Sequence, residues 1–438
     1  MTTLRVLIPT LLLTLSAGAL GADGPDLKED LEALVHLPTP KQRATRATQL
    51  AKRKDVELDD WLAAMREFGS FEAQAEGTRV ETVELRVGAD VERTELHLHV
   101  PDDYSPERRA PLLLAFHGTG GGGGYMIELW RRYAEQLGMV VIAPSEAGKN
   151  DGYAFSERER LAALAALRWA RLEFNIDEDR IFATGVSRGG HLSWDLALRY
   201  PGILAGIAPM IGSPRVQPRL GQNNIRYLEN VLDLPIRDLQ GEGDDPGMVF
   251  NLRFVFGRLE ELGASDAELF LQKGLGHSFN MSAVHWEEFF ASVERDPFPS
   301  RVIRRVARPG EGRAHWVEVL ETKKPIAEDF DIPMSARWRK ADSDEQRVII
   351  QEVADKHTGR LELELAGPGR FEAKSTRGVE RFRLLLPQRA FLEGKPVNVV
   401  WNGKKIRRRP KASKELLLSE FAERFDRSFL PVAEIEVR

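Results

Sequence analysis

The sequence predicts an α/β protein in which a mostly parallel sheet carries helices on both faces, followed by a separate β-rich region. Continuous apolar runs at 111–116 and 139–143 are typical of strands buried on both faces, and helical patterns follow each run. Strands that alternate with helices favour parallel pairing through crossover connections. From residue 297 onward, short alternating runs replace the long helical patterns and predict the β-rich region.

Length and composition limit the classes of protein to consider. A chain of 438 residues accommodates two or three domains of about 100–200 residues each. A formal net charge of −5 gives no general attraction to nucleic acid or to an anionic membrane. The chain has no cysteine, which excludes disulfides, thiolate metal sites and a cysteine nucleophile. From the net charge we expect no nucleic-acid partner. The sequence leaves the oligomeric state open.

Residues 1–22 predict a secretory signal peptide. Arg5 precedes an apolar run from Val6 to Leu15, and small residues follow up to the expected cleavage site. The run is shorter than the about 20 residues of a spanning helix, and Pro9 interrupts it. We expect a secreted or periplasmic protein that keeps no stable membrane anchor after cleavage.

Two kinds of pattern precede the buried strands. Residues 23–77 place apolar side chains at helical spacing and predict a helical lead-in packed on the main domain. Residues 80–87 and 94–100 alternate with period two and predict an antiparallel hairpin at the sheet edge. His97 and His99 lie on this hairpin without a third ligand nearby, so they are expected to face solvent.

The sheet pattern continues to about residue 297. Further strands are expected at four positions, namely 180–184, 203–211, 234–239 and 267–272, and a last helix at 284–293. Helices between them complete the alternation. This succession, with its antiparallel edge, resembles the α/β-hydrolase fold, and residues 78–297 are the expected catalytic domain.

Residues 298–438 are expected to form an accessory β-rich domain, a small sandwich. Its predicted strands lie at 315–320, 347–350, 361–365, 381–386 and 397–401. Asn402-Gly403 predicts a two-residue hairpin turn. The basic run 404–409 that follows is interpreted as a solvated hairpin strand, because the interleaved aromatic residues of a single-strand binder are missing.

Gly185-Val-Ser187-Arg-Gly189 predicts a sharp turn between a strand and a helix, with Ser187 at its apex. Glycine is needed two residues before and after the serine because the backbones approach too closely there for a Cβ atom. Ser187 is therefore the candidate nucleophile. A serine hydroxyl needs a base to take its proton and a carboxylate to orient that base.

The hydrolase resemblance implies that the acid and the base follow the serine in that order, each at the end of a strand. Asp244 is the candidate acid, because its spacing from Gly241 matches the loop of the family. Asp245 remains an alternative, and Glu242 and Asp238 are secondary candidates.

His277 is the candidate base. It follows the strand expected at 267–272 and lies 33 residues after Asp244, which leaves room for one helix and one strand. His285 is the alternative, although it falls at the start of the last predicted helix. His191, four residues after the nucleophile, is expected to pack one helical turn away from it.

The oxyanion of an acyl-transfer reaction needs two backbone N–H donors. Arg188 supplies one candidate, at the start of the helix after the elbow. The segment His117-Gly-Thr-Gly120 resembles the family's HG-rich strip, which implies Thr119 as the second donor and Gly120 as its alternative. The glycine run is not a Walker phosphate loop, since Tyr125-Met126 follows it.

Together, HGTGG, GVSRGG and GHSF make the chain resemble secreted esterases of the polyhydroxybutyrate depolymerase and feruloyl or acetylxylan esterase type, with prolyl-oligopeptidase-like domains close by. The resemblance covers about half of the chain. It implies a serine hydrolase that cleaves small-molecule or polysaccharide-linked carboxylic esters through an acyl-enzyme, without a metal or an organic cofactor.

Two other functions remain open at this point. One is a serine peptidase of the prolyl-oligopeptidase type, although the chain has no room for the propeller of those enzymes. The other is a non-catalytic carbohydrate- or surface-binding protein built on a hydrolase scaffold. Arg188 departs from the family pattern, and its side chain is expected to cover or charge the pocket entrance.

Overall fold

The computed structural model describes residues 27–69, 71–145, 156–216, 223–392 and 394–438. The predicted signal peptide lies outside these ranges. The described helices are α1 (Leu27–Val35), α2 (Pro40–Ala51), α3 (Leu58–Arg66), α4 (Gly123–Leu137), α5 (Glu157–Glu173), α6 (Arg188–Arg199), α7 (Pro246–Leu262), α8 (Trp286–Ser292), α9 (Ala336–Lys340), α10 (Ser343–Lys356) and α11 (Lys414–Arg424).

The central sheet contains β1 (Gly77–Val87), β2 (Asp90–Val100), β3 (Ala110–Phe116), β4 (Val140–Pro144), β5 (Ile176–Val186), β6 (Gly206–Met210), β7 (Ile236–Gly241) and β8 (Ala267–Gln272). Their order is β1-β2-β4-β3-β5-β6-β7-β8. β2 pairs antiparallel with β1 and β4, and the remaining pairs are parallel. The predicted α/β-hydrolase fold with an antiparallel N-terminal edge is confirmed.

Helices cover both faces of this sheet. The apolar side chains of α4 and α8 pack on one face, around Trp130 and Trp286. Those of α5, α6 and α7 pack on the other face, around Leu167, Trp194 and Leu252. β3, β4 and β6 are buried along their whole length, which explains why their sequences read as continuous apolar runs. The residues that follow β5, β7 and β8 all leave the sheet at its carboxyl edge.

The C-terminal part, residues 301–438, contains two sheets. One has the order β10 (Arg313–Ala314), β11 (Val317–Thr322), β14 (Val379–Pro387), β17 (Pro431–Val437). The other has the order β16 (Lys404–Arg408), β15 (Val397–Trp401), β13 (Arg370–Arg377), β12 (Gly359–Gly367), β9 (Arg301–Val306). Their inner faces share one apolar cluster, so this part is β-rich, as predicted.

The lead-in helices do not pack where the sequence suggested. Leu31, Trp61 and Met65 belong to the apolar cluster of the C-terminal part, together with Phe382 and Phe421. The expectation that α1–α3 pack on the main domain is therefore wrong for their apolar faces. Their contacts with the main domain include hydrogen bonds such as that from Arg168 on α5 to the carbonyl of Val35. Helical spacing reveals an apolar face, but it does not reveal which distant surface that face will cover.

One predicted strand is a helix. Residues 347–350 lie in α10, where the side chain of Asp342 accepts hydrogen bonds from the N–H groups of Asp344 and Glu345 and so caps the first turn. The β-branched run suggested a strand, but the cap and the spacing of Ile349 from Val353 favour a helix. The Asn402-Gly403 turn was predicted correctly, since it joins β15 and β16 with both φ angles positive.

Buried ion pairs connect the central part to the C-terminal part. Arg199 on α6 is fully buried, and its guanidinium lies 2.9 Å from Asp195 and 2.6 Å from Glu311. Glu311 also lies 3.6 Å from Arg160 on α5. A cation so far from water is stable only while its carboxylate partners remain.

We expect Glu311→Gln to lower the free energy of unfolding by about 3 kcal/mol, because it leaves a buried guanidinium without one counter-charge. Chemical denaturation at neutral pH measures the change. Glu128→Gln is the matched control, since Glu128 pairs with Arg131 on the surface and such pairs contribute about 0–1 kcal/mol. Equal losses in the two variants would contradict the role assigned to the buried network.

Candidate active site

The elbow between β5 and α6 holds Ser187 in an unusual conformation. Its φ is 56° and its ψ is −109°, a region that a residue with a side chain rarely adopts. The N–H of Ser187 donates to the carbonyl of Met210 on β6 over 2.9 Å, which fixes the turn. The hydroxyl is therefore presented at the carboxyl edge of the sheet, at the first residue before α6.

The structure brings the three predicted site residues into one hydrogen-bonded chain. The Oγ of Ser187 lies 3.0 Å from Nε2 of His277, and Nδ1 of His277 lies 2.8 Å from Oδ2 of Asp244. A neutral imidazole that carries its proton on Nδ1 donates to the carboxylate and accepts from the hydroxyl. This arrangement can remove the serine proton at the moment of nucleophilic attack.

The carboxylate of Asp244 is held from three sides. Oδ1 accepts from the N–H of Asp245 over 2.7 Å, and Oδ2 accepts from Nε2 of Gln240 over 2.8 Å. Burial raises the pKa of Asp244, but the hydrogen bonds from Asp245, Gln240 and His277 outweigh burial and leave the pKa below its ordinary value. Asp244 is therefore ionised near neutral pH, which suits a group that orients the imidazole.

The other acidic candidates have different surroundings. Asp245 caps α7, and its side chain accepts from the N–H of Met248 over 2.9 Å. Glu242 is exposed, 3.4 Å from Arg253. Asp238 is fully buried against Nε1 of Trp194, and burial raises its pKa well above the ordinary value. Of the four described candidates, Asp244 is the one within hydrogen-bonding distance of His277.

His285, the alternative base, is exposed just before α8. No hydrogen bond joins it to Ser187 or Asp244 in the described part of the chain. Gln240 is the residue that sequence reasoning missed. Gln240 lies beside Asp244 because β7 ends directly before the loop that carries Asp244. A single glutamine in a strand gives no sequence signal of that contact.

The glycine-rich strip lies beside the serine. A Cβ atom on Gly118 would come within 3.4 Å of the Cβ of Ser187, and Gly121 donates its N–H to the carbonyl of Gly118 over 3.0 Å. Thr119 and Gly120 occupy the two corners of this turn, and Gly120 has a φ of 70°. The N–H groups of Thr119, Gly120 and Arg188 thus belong to the segments that border Ser187, and their role as oxyanion donors stays a prediction.

The side chain of Arg188 is not at the pocket entrance. It is 4% exposed, and its guanidinium lies 3.7 Å from the carboxylate of Glu159 on α5. Glu159 is itself buried and completes the cap of α5 with Ser156. The expectation that Arg188 covers or charges the entrance is therefore wrong, because the side chain turns toward α5 and meets an acidic partner there.

His191 packs behind the elbow, one turn along α6 as expected. Its Nδ1 donates to the carbonyl of Ser213 over 2.6 Å, and its Nε2 accepts from Arg215 over 3.0 Å. Burial and the neighbouring Arg215 lower the pKa of His191 to about 3. The ring is therefore neutral over the whole physiological range.

We expect His191 to make the protein less stable as the pH falls. Its folded pKa of about 3 lies below the ordinary 6.5, so its contribution is present above pH 6.5 and is lost progressively between pH 6.5 and 3. His191→Gln should reduce the slope of unfolding free energy against pH between 6.5 and 4 by up to about 1.4 kcal/mol per pH unit. Urea denaturation at a series of pH values measures it.

His315, whose pKa burial also lowers to about 3, retains its own contribution in this variant, so the slope should fall without vanishing. An unchanged slope in His191→Gln would show that the pKa of His191 is the same in the folded and the unfolded protein, which contradicts the lowered pKa.

The strand histidines are not solvent-facing. His99 is 2% exposed, with Nε2 2.8 Å from Glu135 and Nδ1 3.1 Å from Thr78, while the ring of His97 packs on Gly123 at the start of α4. The expectation failed because α4 covers this end of β2.

Within the described ranges, no three acidic or histidine side chains converge as a metal site requires. None of the helices described there has both the length and the apolarity to cross a membrane.

No family model matches the chain. Several curated proteins show local sequence similarity. Poly(3-hydroxyalkanoate) depolymerase C of Paucimonas lemoignei is 26% identical over 139 residues, which are 29% of this chain and 33% of that protein. Probable feruloyl esterase C of Aspergillus flavus is 32% identical over 108 residues, 23% of this chain and 39% of that protein. The bifunctional acetylxylan esterase/xylanase XynS20E of Neocallimastix patriciarum is 25% identical over 38% of this chain and 23% of that protein.

Solved structures match about half of the chain. A thermostable esterase superimposes with a TM-score of 0.42 and 22% identity, over 49% of this chain and 63% of that one. Esterase 2 of Thermogutta terrifontis, with propionate bound, gives a TM-score of 0.39 and 18% identity, over 49% and 92%.

The chain spans 23% to 39% of the lengths of the three curated relatives. The resemblance predicted from its motifs is confirmed, since these relatives are a depolymerase, a feruloyl esterase and an acetylxylan esterase. The strand order identifies a chain of the α/β-hydrolase fold, and the curated relatives show that it is locally similar to carboxylic ester hydrolases.

Proposed function

We propose that the chain is a serine hydrolase that cleaves carboxylic esters through an acyl-enzyme. The single observation that carries the proposal is the hydrogen-bonded chain from Ser187 through His277 to Asp244, at the carboxyl edge of the sheet. The similarity to proteins named as depolymerase and esterases supports the choice of an ester as substrate.

The proposed reaction has two halves. Ser187 Oγ attacks the ester carbonyl while His277 Nε2 takes its proton, and the N–H groups of Arg188 and Thr119 or Gly120 bind the oxyanion. His277 then returns the proton to the leaving alkoxy oxygen, and the alcohol departs. In the second half, His277 takes a proton from water, the hydroxide attacks the acyl group, and the carboxylic acid leaves as Ser187 regains its proton. Asp244 orients the imidazole throughout and stabilises its cationic form.

The substrate is proposed to be a small-molecule or polysaccharide-linked ester outside the cytoplasm. The predicted signal peptide supports the location, and the similarity to an acetylxylan esterase/xylanase supports a polysaccharide-linked ester. His277 is 51% exposed at its side chain, so a bulky ester can approach the triad from solvent.

A fluorophosphonate probe tests the proposal, because it reacts covalently with an activated serine. We expect the wild type to be labelled and Ser187→Ala not to be labelled. Ser278→Ala is the control for a nearby serine and should be labelled normally. Absence of labelling in the wild type would favour the non-catalytic scaffold. Turnover of p-nitrophenyl esters without turnover of aminoacyl nitroanilides would separate the esterase from the peptidase.

A further inference from the structure

A cavity of about 70 Å³ lies between the central part and the C-terminal part. Its wall carries four arginines, from α5, from the segment after α8, from β10 and from the end of α11, against two carboxylates: Arg171, Arg295, Arg313, Arg424, Glu311 and Asp426. Ser187, Asp244 and His277 do not contribute to this wall. The cavity is therefore separate from the candidate active site.

Two of the four arginines are already neutralised. Arg295 lies 2.7 Å from Asp179 and 2.8 Å from Asp426, and Arg313 pairs with Glu420. The wall carboxylate of Glu311 is likewise engaged by the buried pairs with Arg199 and Arg160 described above. The acidic groups of the wall thus form their close ion pairs with other cations.

Arg171 and Arg424 lack such partners. Arg171 is 7% exposed and donates through Nη1 to the carbonyl of Arg424 over 3.0 Å. Its Nε and Nη2 have no hydrogen-bond acceptor within the described part of the chain. The guanidinium of Arg424 forms no ion pair with a described residue either. Neither guanidinium therefore has a carboxylate within ion-pair distance among the described residues, although Asp426 and Glu178 attract Arg171 from farther away. Arg171 is buried, whereas Arg424 is exposed.

Burying an uncompensated guanidinium costs several kcal/mol, so a counter-charge in the cavity would stabilise the fold. Burial lowers the pKa of Arg171, and the attraction of Asp426 and Glu178 does not offset it. A water needs about 10–15 Å³ of such space, so the cavity is large enough for a polyatomic ion. Planar guanidinium groups bind the oxygens of phosphate-like anions in pairs.

We propose that this cavity binds a tetrahedral oxyanion, such as inorganic phosphate or sulfate, between the guanidinium groups of Arg171 and Arg424. A tetrahedral ion offers separate oxygen atoms to two guanidinium groups that approach from different helices. A carboxylate has only two oxygen atoms, which one guanidinium group can occupy. The bound ion fastens α5 of the central part to the end of α11 in the C-terminal part. This inference does not depend on the proposed esterase activity.

Thermal unfolding of the full chain tests the site. The protein is titrated with phosphate or sulfate in a zwitterionic buffer, and parallel titrations use sodium chloride and sodium acetate at matched ionic strength. We expect a saturable rise in Tm of about 2–4 °C with phosphate or sulfate. No saturable rise would show a cavity filled by water and overturn the proposal. An equal rise with chloride, or with acetate, would overturn it as a site for tetrahedral oxyanions.

Variants assign the effect to the cavity. Arg171→Met should abolish the rise. Arg168→Met is the matched control, because Arg168 also projects from α5 to the carbonyls of Ala422 and Glu423 on α11 but does not line the cavity. The control should retain the full rise. If Arg171→Met does not fold, Arg424→Met replaces it, with the same expected loss. A full rise in Arg424→Met or in Arg171→Met would overturn the proposal.

Discussion

Asp244→Asn is expected to lower kcat for ester hydrolysis about 10⁴-fold. The amide can donate a hydrogen to His277 Nδ1, which favours the tautomer with its proton on Nε2, where the ring no longer accepts the serine proton. The loss should appear in kcat more than in KM, because the carboxylate acts on the imidazole and not on the bound ester. Steady-state kinetics with a soluble p-nitrophenyl ester measure it.

Asp245→Asn is the matched control, one residue away. Asparagine caps a helix about as well as aspartate, so the cap on Met248 should survive and activity should stay within a few-fold of the wild type. Circular dichroism of both variants checks that neither has lost its fold. A large loss in Asp245→Asn together with near-normal kinetics in Asp244→Asn would reverse the assignment of the acid.

The sequence could not separate these two aspartates, because both suit a turn between a strand and a helix. The backbone decides between them. The first residue of the pair turns its carboxylate toward Gln240 and His277, while the second starts α7. Chain order and strand ends were enough to predict Ser187 and His277, since parallel strands all deliver their following loops to one edge.

Other features escaped prediction because they depend on contacts between distant segments. The apolar face of the lead-in was visible in the sequence, but its partner, the core that contains Phe421, was not. His99 was expected to face solvent on an edge hairpin. In the structure, α4 covers this strand and Glu135 contacts the ring. The run at 347–350 favoured a strand by propensity, and a local cap at Asp342 overrode that propensity.

The elbow glycines give the second large expected effect. Gly189→Ala is expected to prevent folding or to lower the free energy of unfolding by more than about 4 kcal/mol. A Cβ atom at this position would lie 1.8 Å from the carbonyl oxygen of Phe116 and 2.4 Å from its carbon. These are backbone atoms of the buried strand β3, so no side-chain rotation relieves the overlap, and α6 would have to move away from the sheet. Soluble yield and chemical denaturation measure the result.

Gly257→Ala is the matched control, because Gly257 lies on the exposed face of α7 and a Cβ atom there meets nothing within 4 Å. Alanine in a helix interior is favoured over glycine by about 1 kcal/mol, so this variant should be slightly more stable than the wild type. A Gly189→Ala protein as stable as the wild type would mean that α6 does not approach β3 as closely as the structure has it. The position of Ser187 relative to His277 depends on that approach, so the same result would also remove the geometric support for the proposed nucleophile.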